Sequence, residues 1–83
     1  MEDAMKLERR EIFAAIERER TYQDGKYPGP YDTATYLLVL EAELQEAKMA
    51  WIKGTDSGAA LMEVLQVAAV AVACIEHHGL WER

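Results

Sequence analysis

Cysteine is nearly missing from this chain: Cys74 stands alone, so no internal disulfide can brace the fold. No metal-finger spacing of Cys and His takes its place. Positive charge is also scarce, with 9 Lys and Arg against 15 Asp and Glu and a formal net charge of −6. A chain this acidic repels phosphate backbones, which argues against a nucleic-acid partner. There is no basic amino-terminal segment leading into an apolar run and a cleavage site, so the expected location is the cytoplasm. Repeats and low-complexity tracts are absent, and no strand pattern competes with the helical ones. Cys74 lies in an apolar stretch and reads as a small core residue.

Apolar surface, by contrast, is plentiful. Hydrophobic residues make up 51% of the 83 positions, which form one domain spanning residues 1–83. A domain of this length buries only roughly 60% of the surface its unfolded chain exposes. Covering the remainder with another copy of the chain is the simplest remedy, so a homodimer or homotetramer is expected.

Helical periodicity marks three segments. The first is expected from about Asp3 to Arg20, with Met5, Ile12, Phe13 and Ile16 as a buried stripe among alternating Glu and Arg. Asp24 to Pro30 reads as a loop, because Pro and Gly punctuate it. Asp32 or Thr33 then caps a second helix that runs to about Lys53 and stops at Gly54. Thr55 to Gly58 is a turn, with Asp56 or Ser57 as the next cap, and the third helix spans about Ala59 to His77 before Gly79. Short connections between such helices predict an all-α fold, an antiparallel helical bundle completed by homo-oligomerisation.

The third helix carries most of the information. From Ala59 to Ile75 only Glu63 and Gln66 are polar, and a helix apolar on every side is expected to be buried on every side. A membrane span is set aside because the run is short, rich in alanine and interrupted by a carboxylate. Glu63 and Gln66 are three positions apart and share a face. On the second helix, Leu37, Leu40, Leu44, Ala47 and Trp51 mark an apolar stripe. Glu43 and Glu46, also three apart, fall beside it in a sector shared with Tyr36, Val39 and Ala50. Packed together, the two helices would bring Glu43, Glu46, Glu63 and Gln66 into one place. Three close carboxylates stay ionised only if a cation joins them, and an all-oxygen set suits Mg²⁺ or Mn²⁺. The alternative is that Glu43 and Glu46 face solvent while Glu63 pairs with a Lys or Arg.

These residues resemble a known family, the MazG-like all-α nucleoside triphosphate pyrophosphohydrolases. Its signature is Glu-x-x-Glu on one helix and Glu-x-x-Asp on the next. The segment Leu40-Glu41-Ala42-Glu43-Leu44-Gln45-Glu46-Ala47 is similar to the first half, and Ala60-Leu61-Met62-Glu63-Val64-Leu65-Gln66 to the second. Glu19-Arg20-Thr21-Tyr22-Gln23-Asp24-Gly25-Lys26 is similar to a Glu-Arg-x-x-Gln-x-x-Lys lead-in found in some relatives. The resemblance covers roughly residues 12 to 78 and departs from the signature at Gln66, where the family has Asp. A Gln ligates through its carbonyl oxygen but brings no charge, which lowers metal affinity. The resemblance implies Mg²⁺ held by Glu43, Glu46, Glu63 and Gln66, and hydrolysis of a nucleoside triphosphate to monophosphate and pyrophosphate. It further implies Lys26, Lys48 and Lys53 as candidates for phosphate contact, and Tyr22, Tyr27, Tyr36 and Trp51 for stacking on a base. Two other readings stay open: a silent relative that binds nucleotide or only assembles, and an unrelated helical interaction module in which Glu63 and Gln66 form a buried register. His77 and His78 are adjacent, point roughly 100° apart and cannot clamp one ion together.

Overall fold

The computed structural model describes residues 6–54 and 57–80. Among these the chain is a three-helix bundle with no strand: α1 spans Arg9–Lys26, α2 Thr33–Lys53 and α3 Ser57–His78. α3 packs against both other helices and is the centre of the bundle.

Local chemistry accounts for the ends. Glu8 opens α1 in a capping box, its backbone N–H donating to Glu11 Oε1 at 3.0 Å. Asp32 caps α2 by accepting from the Thr35 backbone N–H at 2.7 Å, and this hydrogen bond holds the Asp32 carboxyl below its ordinary pKa. Gly54 ends α2 with φ +69°, a conformation that costs any other L-residue, and its N–H donates to the Trp51 carbonyl at 3.1 Å. The expected turn residues Thr55 and Asp56 lie outside the described residues, as does Met5.

α1 differs from expectation at both ends. Its helix starts at Arg9, not near Asp3, and continues past Arg20 to Lys26, so Asp24, Gly25 and Lys26 are helical. The Tyr22 and Lys26 side chains meet one turn apart at 3.3 Å and support that last turn. The helix then ends at Tyr27, whose position before Pro28 disfavours helical backbone.

The buried side of α1 is also different. Phe13 is 61% exposed and Ile12 is exposed too, whereas Arg20 is 7% exposed. Arg20 ties α1 to α3: its Nε donates to Glu76 Oε1 at 2.7 Å, and its Nη2 to Asp24 Oδ1 at 2.9 Å. Burial works against the charge on this guanidinium, but the bonds to Glu76 and then Asp24 outweigh it and raise the pKa. Arg20→Met removes two charge-assisted hydrogen bonds from partners that stay half in water. Chemical denaturation is expected to show a loss of about 2 kcal/mol. An unchanged midpoint would mean that the tie adds nothing.

α2 presents two apolar stripes, and the one turned inward carries Glu43. Tyr36 and Ala47 are buried and Leu40, Glu43 and Ala50 half-buried, while Leu37, Leu44 and Trp51 of the expected stripe are exposed. α3 is not covered on every side either. Its buried residues are the small Ala60, Ala69, Val70 and Ala73, and Leu61, Met62, Val64 and Ile75 are exposed. The reason is geometric: small side chains let α2 and α3 approach closely, so the larger ones are left on the outer faces. Gly58–His78 is long and apolar enough to cross a membrane, with mean hydropathy 2.0, and 22% of that stretch is buried within the chain. The radius of gyration is 13.9 Å, against about 12 Å for a compact chain of this length. Tyr36, Val70 and Ala73 form the core, with Leu40 and the half-buried Cys74 packed against it.

Candidate metal centre and adjoining cavity

Glu43 and Glu46 sit three positions apart on the inner side of α2, and Glu63 faces them from α3. One carboxylate oxygen from each lies within 4.8 Å of the other two. Oxygens on opposite sides of a Mg²⁺ ion stand roughly 4.2 Å apart at about 2.1 Å per bond. The three side chains therefore need only small rotations to share one hard cation, and the donor set fits Mg²⁺ or Mn²⁺. Glu43 and Glu63 are half-buried and Glu46 is exposed, so an ion held here would keep positions open to solvent on one side.

Gln66 completes the group. With its amide nitrogen turned to the carboxylates it donates to Glu43 Oε2 at 2.9 Å and to Glu63 Oε2 at 3.3 Å. A half-turn of the same amide points its oxygen at those carboxylates instead, an arrangement that repels unless a cation lies between them.

The electrostatics of the cluster are strained. Burial, then the charges of Glu46, Glu63 and Glu19, raise the pKa of the Glu43 carboxyl. Glu19 of α1, placed by the sequence on a solvated face, is half-buried near this cluster. A carboxyl whose pKa is raised on folding contributes stability below the unfolded value, about 4.3. That contribution is lost as the pH rises through the folded value. The metal-free protein should therefore lose a component of its stability from pH ~4.3 upward that Glu43→Gln does not lose. Melting curves of the two proteins in EDTA across this range test it, and parallel profiles would contradict it.

A cavity of about 290 Å³ adjoins the cluster, with Glu43 in its wall. Tyr27, Tyr31, Tyr36 and His77 supply aromatic surface, and Val39, Val70 and Ala73 apolar surface. Its far end is firmly built. Tyr36 OH is hydrogen-bonded to His77 Nδ1, and the Tyr31 ring meets Tyr36 edge-on at 5.8 Å. His78 Nε2–H donates to the Tyr31 carbonyl at 2.7 Å, which fixes its tautomer. A Cβ on Gly29 would stand 3.2 Å from Tyr36 OH and 3.3 Å from His77 Cε1, so a larger residue there would press these side chains back by a few tenths of an ångström. The two histidines hydrogen-bond to separate partners, and both rings lie against Tyr36.

The other sequence candidates are dispersed. Lys53 shares a shallow hollow with Glu46, Met49 and Ala50. Lys48 lines an apolar groove with Trp51 on another face. Lys26 stands over the Tyr22 and Tyr27 rings, 5.6 and 5.4 Å from their centroids. Tyr27 and Tyr36 line the cavity; Tyr22 and Trp51 do not. Tyr31 and Arg20 line it too: Tyr31, after a Pro-Gly-Pro loop, carried no signal in the sequence, and Arg20 stood out only within the lead-in motif, since an arginine in a charge run looks solvated. No known family model, curated protein or solved structure significantly matches the chain.

Proposed function

We propose that this chain is a Mg²⁺-dependent nucleoside triphosphate pyrophosphohydrolase acting in the cytoplasm. The observation that carries the reading is the junction of a hard-cation ligand set with an aromatic-walled cavity, Glu43 belonging to both. A cavity near 300 Å³ is at the small end for ligand sites and suits one base and part of a sugar. The phosphates of a nucleotide seated there would then lie at the carboxylates. The likeness to the MazG-like signature supports the same assignment.

Bound Mg²⁺ or Mn²⁺ would neutralise phosphate charge and polarise the phosphoryl oxygens. The chain itself has three tasks. Glu43, Glu46 and Glu63 supply the negative charge that holds the ion, with the Gln66 oxygen as a neutral fourth ligand. Any carboxylate the ion leaves free accepts a proton from the attacking water. As the water oxygen bonds to the α-phosphorus, the bridging P–O bond breaks, and monophosphate and pyrophosphate leave. Lys53 is the lysine placed beside Glu46 and is the one best situated to meet the pyrophosphate oxygens. Lys26, over the Tyr27 ring, and Lys48 are further candidates for phosphate contact. Each would act as a flexible point charge.

The bundle is proposed to be antiparallel and to assemble as a homodimer or homotetramer. Support comes from the exposed apolar side chains of α2 and α3, which a second copy would cover. The test of the functional reading is thermal melting with a nucleoside triphosphate whose α,β-bridging oxygen is replaced by nitrogen. Stabilisation by the analogue only when Mg²⁺ is present is expected. Equal stabilisation in EDTA, or none at all, contradicts it.

A further inference from the structure

The α1 wall of the cavity holds two polar side chains for which the hydrolysis has no use. Gln23 is half-buried and lines the cavity, and its amide makes no hydrogen bond among the described residues. Asp24, its neighbour on the same wall, accepts at Oδ1 from Arg20 Nη2 at 2.9 Å, and its Oδ2 has no hydrogen-bond partner among the described residues. Arg20 is itself held by Glu76 at 2.7 Å, so Asp24 is anchored from behind.

We infer that this wall reads the edge of the base, and that Asp24 selects bases carrying an exocyclic amino group over bases with a carbonyl oxygen at that place. The inference rests on the nucleotide reading above and adds the substrate class to it. The exposed rings of Tyr27 and Tyr31 stack on any base, because every base has a π-face. The Gln23 amide offers one donor and one acceptor direction, and every base edge has a counterpart to these. Gln23 therefore adds affinity without choosing. A carboxylate paired with a guanidinium is acceptor-only. An amino group donates to it, whereas a carbonyl oxygen sets lone pair against lone pair. Discrimination of this kind is steep where a site is built to pair one group and its analogue leaves it unpaired. Asp24 is half in water, with 59% of its side chain exposed, so the effect belongs at the low end for a hydrogen bond to a charged group.

Two matched pairs isolate the exocyclic group: cytidine against uridine, and adenosine against inosine, each as the α,β-imido triphosphate with Mg²⁺. Calorimetry on the full chain should find the amino-bearing member of at least one pair tighter by about tenfold. Asp24→Asn, which keeps an oxygen for Arg20 but adds a donor, should bring that ratio towards one, while Gln23→Ala should weaken both members alike. The wild-type comparison stands even if a variant folds poorly. Equal affinity within both pairs overturns the inference and leaves the nucleotide reading intact. Absence of binding by all four analogues overturns both.

Discussion

Glu63→Gln should abolish stabilisation by Mg²⁺ while leaving a folded helical protein. In the wild type, Mg²⁺ at a hundredfold excess over its Kd is expected to add about 2.7 kcal/mol. For a chain of this size that corresponds to a rise in Tm on the order of 10 °C. Glu63 supplies one of only three charges to the ion, and ligand charge count is what tunes affinity for hard cations. Its loss should weaken binding by more than the roughly 10–100-fold that removal of a merely supporting group costs. The Gln side chain keeps the size and a carbonyl oxygen, so the helix packing is preserved. Gln66→Asp should move the other way: a fourth charge raises Mg²⁺ affinity and, in EDTA, lowers Tm by repulsion with Glu43 and Glu63. Melting curves over a Mg²⁺ titration read both variants. A wild-type Mg²⁺ response retained in Glu63→Gln would show that the ion, if it binds, binds elsewhere.

Trp51→Glu should convert the assembly to a monomer of 9.4 kDa. Leu44, Trp51, Ile52, Leu61 and Val64 line a groove formed by α2 and α3, and Trp51 and Ile52 are 64% and 70% exposed on it. The chain has no fully buried large side chain of its own among the described residues. A second copy seated on this groove, as proposed, would cover these side chains. Loss of a buried Trp costs roughly 3 kcal/mol at a well-packed site. Two-fold symmetry repeats the loss on both partners, so the dimer Kd should weaken by about 10⁴-fold. Light scattering across a concentration series reads the outcome. A wild-type monomer at every concentration would remove the assembly from the account, and recruitment to lipid vesicles instead would give the apolar face of α3 a different occupant.

How far the sequence could be read varies along the chain. α2 and the end of α3 were legible because a residue with a single local job marks each: Asp32 caps α2, Gly54 stops it in a left-handed conformation, and Gly79 does the same after α3. The meeting of Glu43, Glu46 and Glu63 was legible for a similar reason, since spacing by three puts each pair on one face and the short connection at Gly54 folds α3 back onto α2. The end of α1 was not. Gly25 and the run to Pro30 looked like loop, yet the contact of Lys26 with Tyr22 one turn back prolongs the helix. Burial was read least well. On α2 the larger Leu37, Leu44 and Trp51 outweighed the stripe of Tyr36, Leu40, Glu43 and Ala47 in any hydrophobic count. Close packing against Ala60, Ala69 and Ala73 rewards small residues, and a count of apolar bulk does not see that. Arg20 escaped because its burial depends on Glu76, 56 positions away.

The most direct measurement is a product assay on the purified chain with Mg²⁺ and each common ribo- and deoxyribonucleoside triphosphate. Monophosphate and pyrophosphate are quantified together. The account predicts their release in equal amounts from at least one substrate, lost in EDTA and in Glu46→Ala. Release of inorganic phosphate alone, release that survives Glu46→Ala, or no release from any substrate by the folded protein would contradict it.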